Sequence, residues 1–343
     1  MLKHMIISLV SMFLAALIVP LVGAHNMYVY TVCTTILIWI ILGQAWNLLG
    51  GFTGQVSFGH AMFLGIGAYS SMIFINQWNL DMFLSMMLAA LLAGLFSLPL
   101  GKLIFRLRGP YLGLGTLALA EILLIIARNW KSVTNGGEGI MLEADATFLG
   151  MSVTDKQEYF YLGLGITVLV CLFIASLIKT KTGYSFIAVR ENEEAAEAMG
   201  INAARYKSLS LFLSATITGL GGSFYGLFNK FIDPEMVLSV HISAEMIFVT
   251  VIGGIGTVAG PIIGSALLIS LQEYLKGIPA LQTYPSLYLV VYGLMIMMVI
   301  VYLPGGIVEG VTKLLKRLKQ RRGKQHEHAE DRTSNETVWR SDR

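Results

Sequence analysis

Ile252-Gly253-Gly254-Ile255-Gly256-Thr257-Val258-Ala259-Gly260-Pro261 lies at the centre of an apolar stretch, 244–275, and sets four glycines and a proline where a helix is hard to continue. The stretch is too long for one ordinary membrane span and too short for two full ones. It is predicted to enter and return as two tilted or partial helices joined by irregular backbone. Such backbone survives at membrane depth only where protein or a water-filled cavity satisfies its polar groups.

Working outward, eight further stretches have the length and low charge of spans: 5–23, 28–49, 56–75, 82–104, 111–127, 159–178, 208–228 and 286–303. No Lys or Arg before residue 313 falls in the middle of one, as the cost of a charge in hydrocarbon requires. Orientation comes from three basic segments: Lys102, Arg106 and Arg108; Lys179, Lys181, Arg190, Arg205 and Lys207; and the tail. If all three are cytoplasmic, an even number of crossings separates each pair. Two spans divide the first pair. Between the second segment and the tail, three single crossings would leave the tail outside, so the hairpin at 244–275 restores the parity. The expectation is an all-α, polytopic transmembrane bundle of about ten membrane segments, counting the hairpin as two, with both termini cytoplasmic. Segments 128–158, acidic on balance, and 229–243 would face outward.

Composition agrees. Hydrophobic residues make up 55% of the chain and charged residues 13%, against about 25% charged in soluble domains. The run KLLKRLKQRRGK at 313–324 holds seven Lys/Arg and no acid. Placed directly after an apolar helix, it reads as a cytoplasmic membrane face and not as a nucleic-acid site. A membrane domain at 1–312 and a basic, then mixed-charge, flexible tail at 313–343 follow. The N-terminus could pass for a secretory signal, but its apolar run is long enough to span and is read as an uncleaved first span. Cys33 and Cys171, the two cysteines, sit in apolar runs with no disulfide or metal spacing. Trp78 and Trp130 fall near expected interfaces.

The loop 179–207 is the most informative. Its core, 184–200, is amphipathic and predicted helical, with Gly200 as a natural stop. The plain reading is a charged surface helix between two spans. The sharper reading starts from Glu194-Ala195-Ala196, then three residues, then Gly200, which resembles the EAA-x3-G loop of ABC importer permeases. Further stretches carry the resemblance across nearly the whole membrane part. They are Trp46-Asn47-Leu48-Leu49-Gly50-Gly51-Phe52-Thr53-Gly54-Gln55-Val56-Ser57-Phe58-Gly59-His60; Leu107-Arg108-Gly109-Pro110-Tyr111-Leu112 with Thr116-Leu117-Ala118-Leu119-Ala120-Glu121-Ile122; Thr134-Asn135-Gly136-Gly137; Arg190-Glu191-Asn192-Glu193; and Gly253-Gly254-Ile255-Gly256-Thr257 with Gly260-Pro261. The chain is similar to the LivM-type permeases of the branched-chain amino-acid ABC importer family. The tail resembles nothing in that family.

The resemblance implies a bacterial or archaeal cell-membrane importer. Two homologous permease subunits pair in the lipid, two ABC ATPase subunits dock beneath, and a soluble extracytoplasmic binding protein delivers the substrate. ATP would be hydrolysed on the partner subunits and no cofactor is expected on this chain, which lacks the G-x-x-x-x-G-K-[ST] phosphate loop. Coupling to the ATPase falls to Arg190, Glu191, Glu193, Glu194, Ala195, Ala196 and Gly200. Related permeases carry urea, short amides and other small polar solutes, so the solute stays open.

Candidate pathway residues are Gln55, Ser57, His60, Thr116, Glu121, Gly254 and Gly256. Glu121, in mid-span, is a functional hypothesis by its position; it either bonds neighbouring backbone or walls the pathway. His60 reads more readily as a satisfied packing histidine than as a proton relay. The glycines at 50–67 permit close helix packing or mark an unwound entry to a substrate path. An ion-coupled secondary transporter is the rival from another class and would rely on Glu121. A membrane enzyme is disfavoured, since the scattered acids and histidine form no metal-ligand or catalytic pattern.

Overall fold

The structure, a computed structural model, describes residues 26–107, 109–143, 147–278, 285–302 and 305–310. The expected span at 5–23 and the tail at 313–343 lie outside the described residues. The order is α1 (Met27–Trp46) running into a π-helical turn (Asn47–Phe52), α2 (Ala61–Trp78), α3 (Met82–Ile104), α4 (Pro110–Asn129), α5 (Lys131–Thr134), α6 (Lys156–Leu177), α7 (Lys181–Glu191), α8 (Glu193–Ala198), α9 (Ala203–Asn229), α10 (Pro234–Leu238), α11 (Val240–Gly254), α12 (Ala259–Lys276) and α13 (Pro285–Tyr302). Two pairs of two-residue strands interrupt this all-α order; Ile140–Met141 pairs antiparallel with Phe231–Ile232, and Thr147–Phe148 with Met151–Ser152.

The helix starts are written locally. The Asn26, Asp81 and Asn202 side chains accept from the first-turn amides of α1, α3 and α9, a capping box of Asp155 and Glu158 opens α6, and Pro110 opens α4.

Among the described residues, six helical segments are long and apolar enough to cross a membrane: Met27–Phe52, α3, α4, α6, α9 and Pro234–Gly254. The chain is therefore a polytopic helical bundle, with six such segments among the described residues against the ten or so expected of the whole chain. The sequence of α2 shows why it is not among them. Its buried part carries Gly and Ser, which a helix wrapped by other helices can hold, and Asn76, Gln77 and Trp78 at its less buried end lower its hydropathy further.

Two central helices organise the rest. Of the most apolar 18-residue window, 78% is buried in Met27–Phe52 and 72% in α9, against only 33% in α4. α9 crosses α2 at backbone distance: a Cβ on Gly67 would lie 2.1 Å from the Gly219 carbonyl oxygen, and one on Gly222 2.2 Å from that of Leu64. Ser223 Oγ then donates to the Gly67 carbonyl at 3.0 Å. This is how small residues let membrane helices approach.

The stretch 244–275 is broken where the glycines stand. α11 ends at Gly254 (φ 137°), Gly256 has φ 71°, and α12 begins at Ala259. The two helices run antiparallel: Gly253 abuts Gly260, Val249 abuts Gly264, and Gln272 Nε2 donates to Glu245 Oε1 at 2.5 Å. Residues on α9, 27 long, separate the two ends of the bundle by about 40 Å. The end where α9 begins gathers α7, α8, the turn 255–258 and, beyond α13, Gly306 and Val308 packed on Gly254. The opposite end holds the Ile140–Ile232 pairing, an Arg128–Glu235 ion pair and the Tyr28–Glu273 hydrogen bond. α11 and α12 thus travel to one end and back, and α13 returns the chain to the end that holds the basic loop 179–207.

In a Cys33→Ala/Cys171→Ala background, cysteines placed at Gly137 and Met199 are expected to react with an impermeant maleimide from opposite sides of the membrane. Labelling of both from one side would overturn the topology.

Candidate functional site at the coupling end

The expected single helix over 184–200 is two helices in the structure. The cause is Asn192, which leaves helical geometry (φ −161°, ψ 111°) and caps the second helix, its Oδ1 accepting from the Ala195 amide at 3.0 Å. At the far end Gly200 takes φ 84°, its amide donates to the Glu197 carbonyl at 2.9 Å, and Ile201 donates to that of Ala196 at 3.0 Å. This double closure is a Schellman stop, and it uses the backbone freedom of glycine.

The inner face of this element is keyed into the bundle. Phe186 is fully buried among Ile41, Leu48, Phe52, Ile174 and Ile178. Val189, Ala196 and Ala203 form a second small cluster. Glu193 pairs with the buried Lys207 of α9 at 2.5 Å. The outer face is bare: Tyr184, Glu194, Ala195, Glu197, Met199 and Gly200 are exposed, and a Cβ on Gly200 would meet nothing within 4 Å. The coupling candidates therefore divide. Glu194, Ala195 and Gly200 face outward, with Glu191 at the rim, while Ala196, Glu193 and Arg190 turn back to the membrane domain.

Arg190 is the most connected. Its Nη1 donates to the Gly51 carbonyl at 3.1 Å, and its Nε and Nη2 donate to Glu191 Oε1 at 3.1 and 2.5 Å. Its side chain lies against both broken stretches: a Cβ on Gly256 would be 2.8 Å from the guanidinium Nη1, and one on Gly54 2.8 Å from Cγ of the aliphatic stem. The turn 255–258 is held from α1 and its π turn. Asn47 Oδ1 accepts from the Gly256 amide at 2.8 Å, Asn47 Nδ2 donates to the Thr257 carbonyl at 2.9 Å, and Gln44 Nε2 donates to that of Val258 at 2.5 Å. Thr257 Oγ1 closes the turn, donating to Gly254 O at 2.8 Å and accepting from Gly260 N at 3.0 Å.

A second irregular stretch, 53–60, is stitched in the same manner. Trp46 Nε1 donates to the Ser57 carbonyl at 2.8 Å, and the Phe58 amide donates to Thr116 Oγ1 at 3.0 Å. His60 is fully buried with Nδ1 3.1 Å from Ser57 Oγ and Nε2 2.8 Å from Ser214 Oγ. Ser214 already donates to the Ala45 carbonyl at 2.6 Å, so its oxygen accepts from His60, and the ring carries its proton on Nε2. His60, Ser57 and Thr116 thus hold backbone in place. Gln55 is half-buried, with its amide donating to Leu49 O at 3.0 Å. Of the glycines, Gly65 and Gly67 pack against Leu238 and α9, Gly50 and Gly51 lie within the π-helical turn, and Gly54 (φ 74°) belongs to the irregular stretch that follows it.

Glu121 stands apart. It is half-buried near the middle of α4, with no hydrogen bond or ion pair among the described residues. It shares a stripe with Leu114, Ala118 and Ile125, all three exposed. Reading the sequence for ionisable groups missed Gln44, Asn47 and Ser214. A signal was available for the first two, since amides inside an apolar run need partners as charges do.

Over residues 28–300 the chain matches the family described as branched-chain amino acid transport system / permease component. It belongs to that family. It is 27% identical over 308 residues to the high-affinity branched-chain amino acid transport system permease protein LivM of Escherichia coli (strain K12), covering 83% of this chain and 71% of that one. It is 23% identical to LivH of the same organism, covering 79% of this chain and 91% of that one. It is 29% identical over 215 residues to the nucleoside ABC transporter permease protein NupC of Lactococcus lactis, covering 58% and 65%. No solved structure matches. These relatives are transport permeases, not enzymes.

His60→Leu is expected to leave the Ser57 hydroxyl without its acceptor and Ser214 Oγ without the bond it accepts, and to destabilise the domain by about 1–3 kcal/mol. A lowered thermal midpoint of the detergent-solubilised protein would register this; an unchanged midpoint would contradict the anchoring role.

Proposed function

We propose that this chain is a permease subunit of an ATP-driven importer of branched-chain amino acids, working by alternating access in a prokaryotic cytoplasmic membrane. A homologous permease lies beside it, ATPase subunits dock on α7 and α8, and a soluble binding protein delivers substrate at the opposite end. The observation that carries this reading is the capped pair α7–α8, keyed into the bundle by Phe186 and bare on its other face. Small alanines allow a partner surface to approach closely there, and Glu194 and Glu197 supply charge for basic partners. The basic loop 179–207 and residues 306–310 then face the cytoplasm, consistent with the bias of Lys and Arg.

The pathway runs along the uncovered face of α4, between this chain and its partner permease. A carboxylate against lipid at mid-depth costs about 2.5–3.5 kcal/mol or more, so the stripe bearing Glu121 favours a polar or protein neighbour. Gln55 and the backbone at Gly254 and Gly256 lie toward the cytoplasmic mouth. The likeness to a nucleoside permease keeps nucleosides as a second solute class.

In proteoliposomes holding the complete assembly, Glu194→Lys and Gly200→Trp are each expected to lower ATP-driven uptake by about tenfold while the chain stays folded. Unchanged uptake in both variants would remove the docking role. A ligand screen on the soluble binding subunit decides the solute: leucine, isoleucine and valine are expected to bind and nucleosides not.

A further inference from the structure

We infer that Arg190 and Asn47 form a latch through which movement of α7–α8 reaches the turn of the α11–α12 hairpin, making both of them positioning residues for transport. This rests on the docking role proposed above. Residues 255–258 lie between two helices and have no helical ladder of their own, so their polar groups are satisfied from elsewhere. Asn47 takes one amide and one carbonyl of the turn, at 2.8 and 2.9 Å, and Gln44 takes the next carbonyl. Asn47 opens the π turn whose Gly51 carbonyl receives Arg190 Nη1 at 3.1 Å. The two turns also touch directly, since a Cβ on Gly51 would sit 2.7 Å from the Gly256 amide nitrogen. Arg190 belongs to the docking element, its guanidinium rests on Gly256, and Gly254 in turn carries Val308 beyond α13. A shift of α7 would carry the Arg190 side chain with it, against the Gly51 carbonyl and the Gly256 backbone. The contacts link the docking element to α1, α11, α12 and the segment after α13 without passing through the long helix α9.

The test is the number of solute molecules moved per ATP hydrolysed by the complete assembly in proteoliposomes. Asn47→Leu leaves the docking surface untouched, so ATPase subunits are expected to bind as before. Transport per ATP is expected to fall by about tenfold. If that variant does not assemble, Asn47→Asp, which keeps the acceptor for Gly256 and loses the donor to Thr257, is read by the same ratio. The Asn47→Leu/Arg190→Met double variant is expected to be no worse than the worse single variant, because both cut one connection. A ratio within about twofold of the unaltered assembly, or losses that multiply in the double variant, would overturn the latch. Both outcomes leave the docking role standing provided the unaltered assembly needs ATP. Uptake by the unaltered chain without any ATPase would instead remove the docking role itself.

Discussion

Backbone that leaves a helix inside a membrane must find its hydrogen bonds in the protein, because hydrocarbon offers none. The turn 255–258 and the stretch 53–60 are two such departures among the described residues, both at the end that holds α7 and α8, and the surrounding side chains are arranged to satisfy them. Asn47 and Gln44 serve the first, Thr116 and Trp46 the second, and Arg190 sits where the two meet. A side chain of any size on Gly51 or Gly256 would separate the turns. The glycine-rich motifs and the polar residues scattered through apolar helices are therefore parts of one constraint.

That constraint explains the division of labour among the helices. Met27–Phe52 and α9 are buried and carry hydroxyls, amides and glycines, whereas α3, α4 and α6 expose leucines, isoleucines and phenylalanines. Burial by protein relaxes the demand for apolarity, and contact with lipid restores it. Glu121 breaks the pattern on α4, and that is what singles out its face.

Much of this was legible in the sequence, because hydropathy and charge counting depend on short-range chemistry. The break at Gly253–Gly260 and the return of the chain were readable from glycine, proline and the parity of basic loops. The division at Asn192 was not read, although Asn followed by two glutamates is a helix-start signal; an amphipathic run on both sides concealed it. His60 was readable as a satisfied packing histidine, but not its partner Ser214, nor the bond of Thr116 to the Phe58 amide, since these join positions distant in sequence. Contacts such as Asn47 with Gly256 join positions far apart along the chain, and no local pattern encodes them.

The interlock of Gly67 with Gly219 and of Leu64 with Gly222 has a mechanical meaning. Helices meshed at backbone distance cannot slide past one another without climbing over carbonyl oxygens. α2 and α9 are thereby locked as one stiff pair, so any bending of the bundle would have to fall in the irregular segments on either side of it.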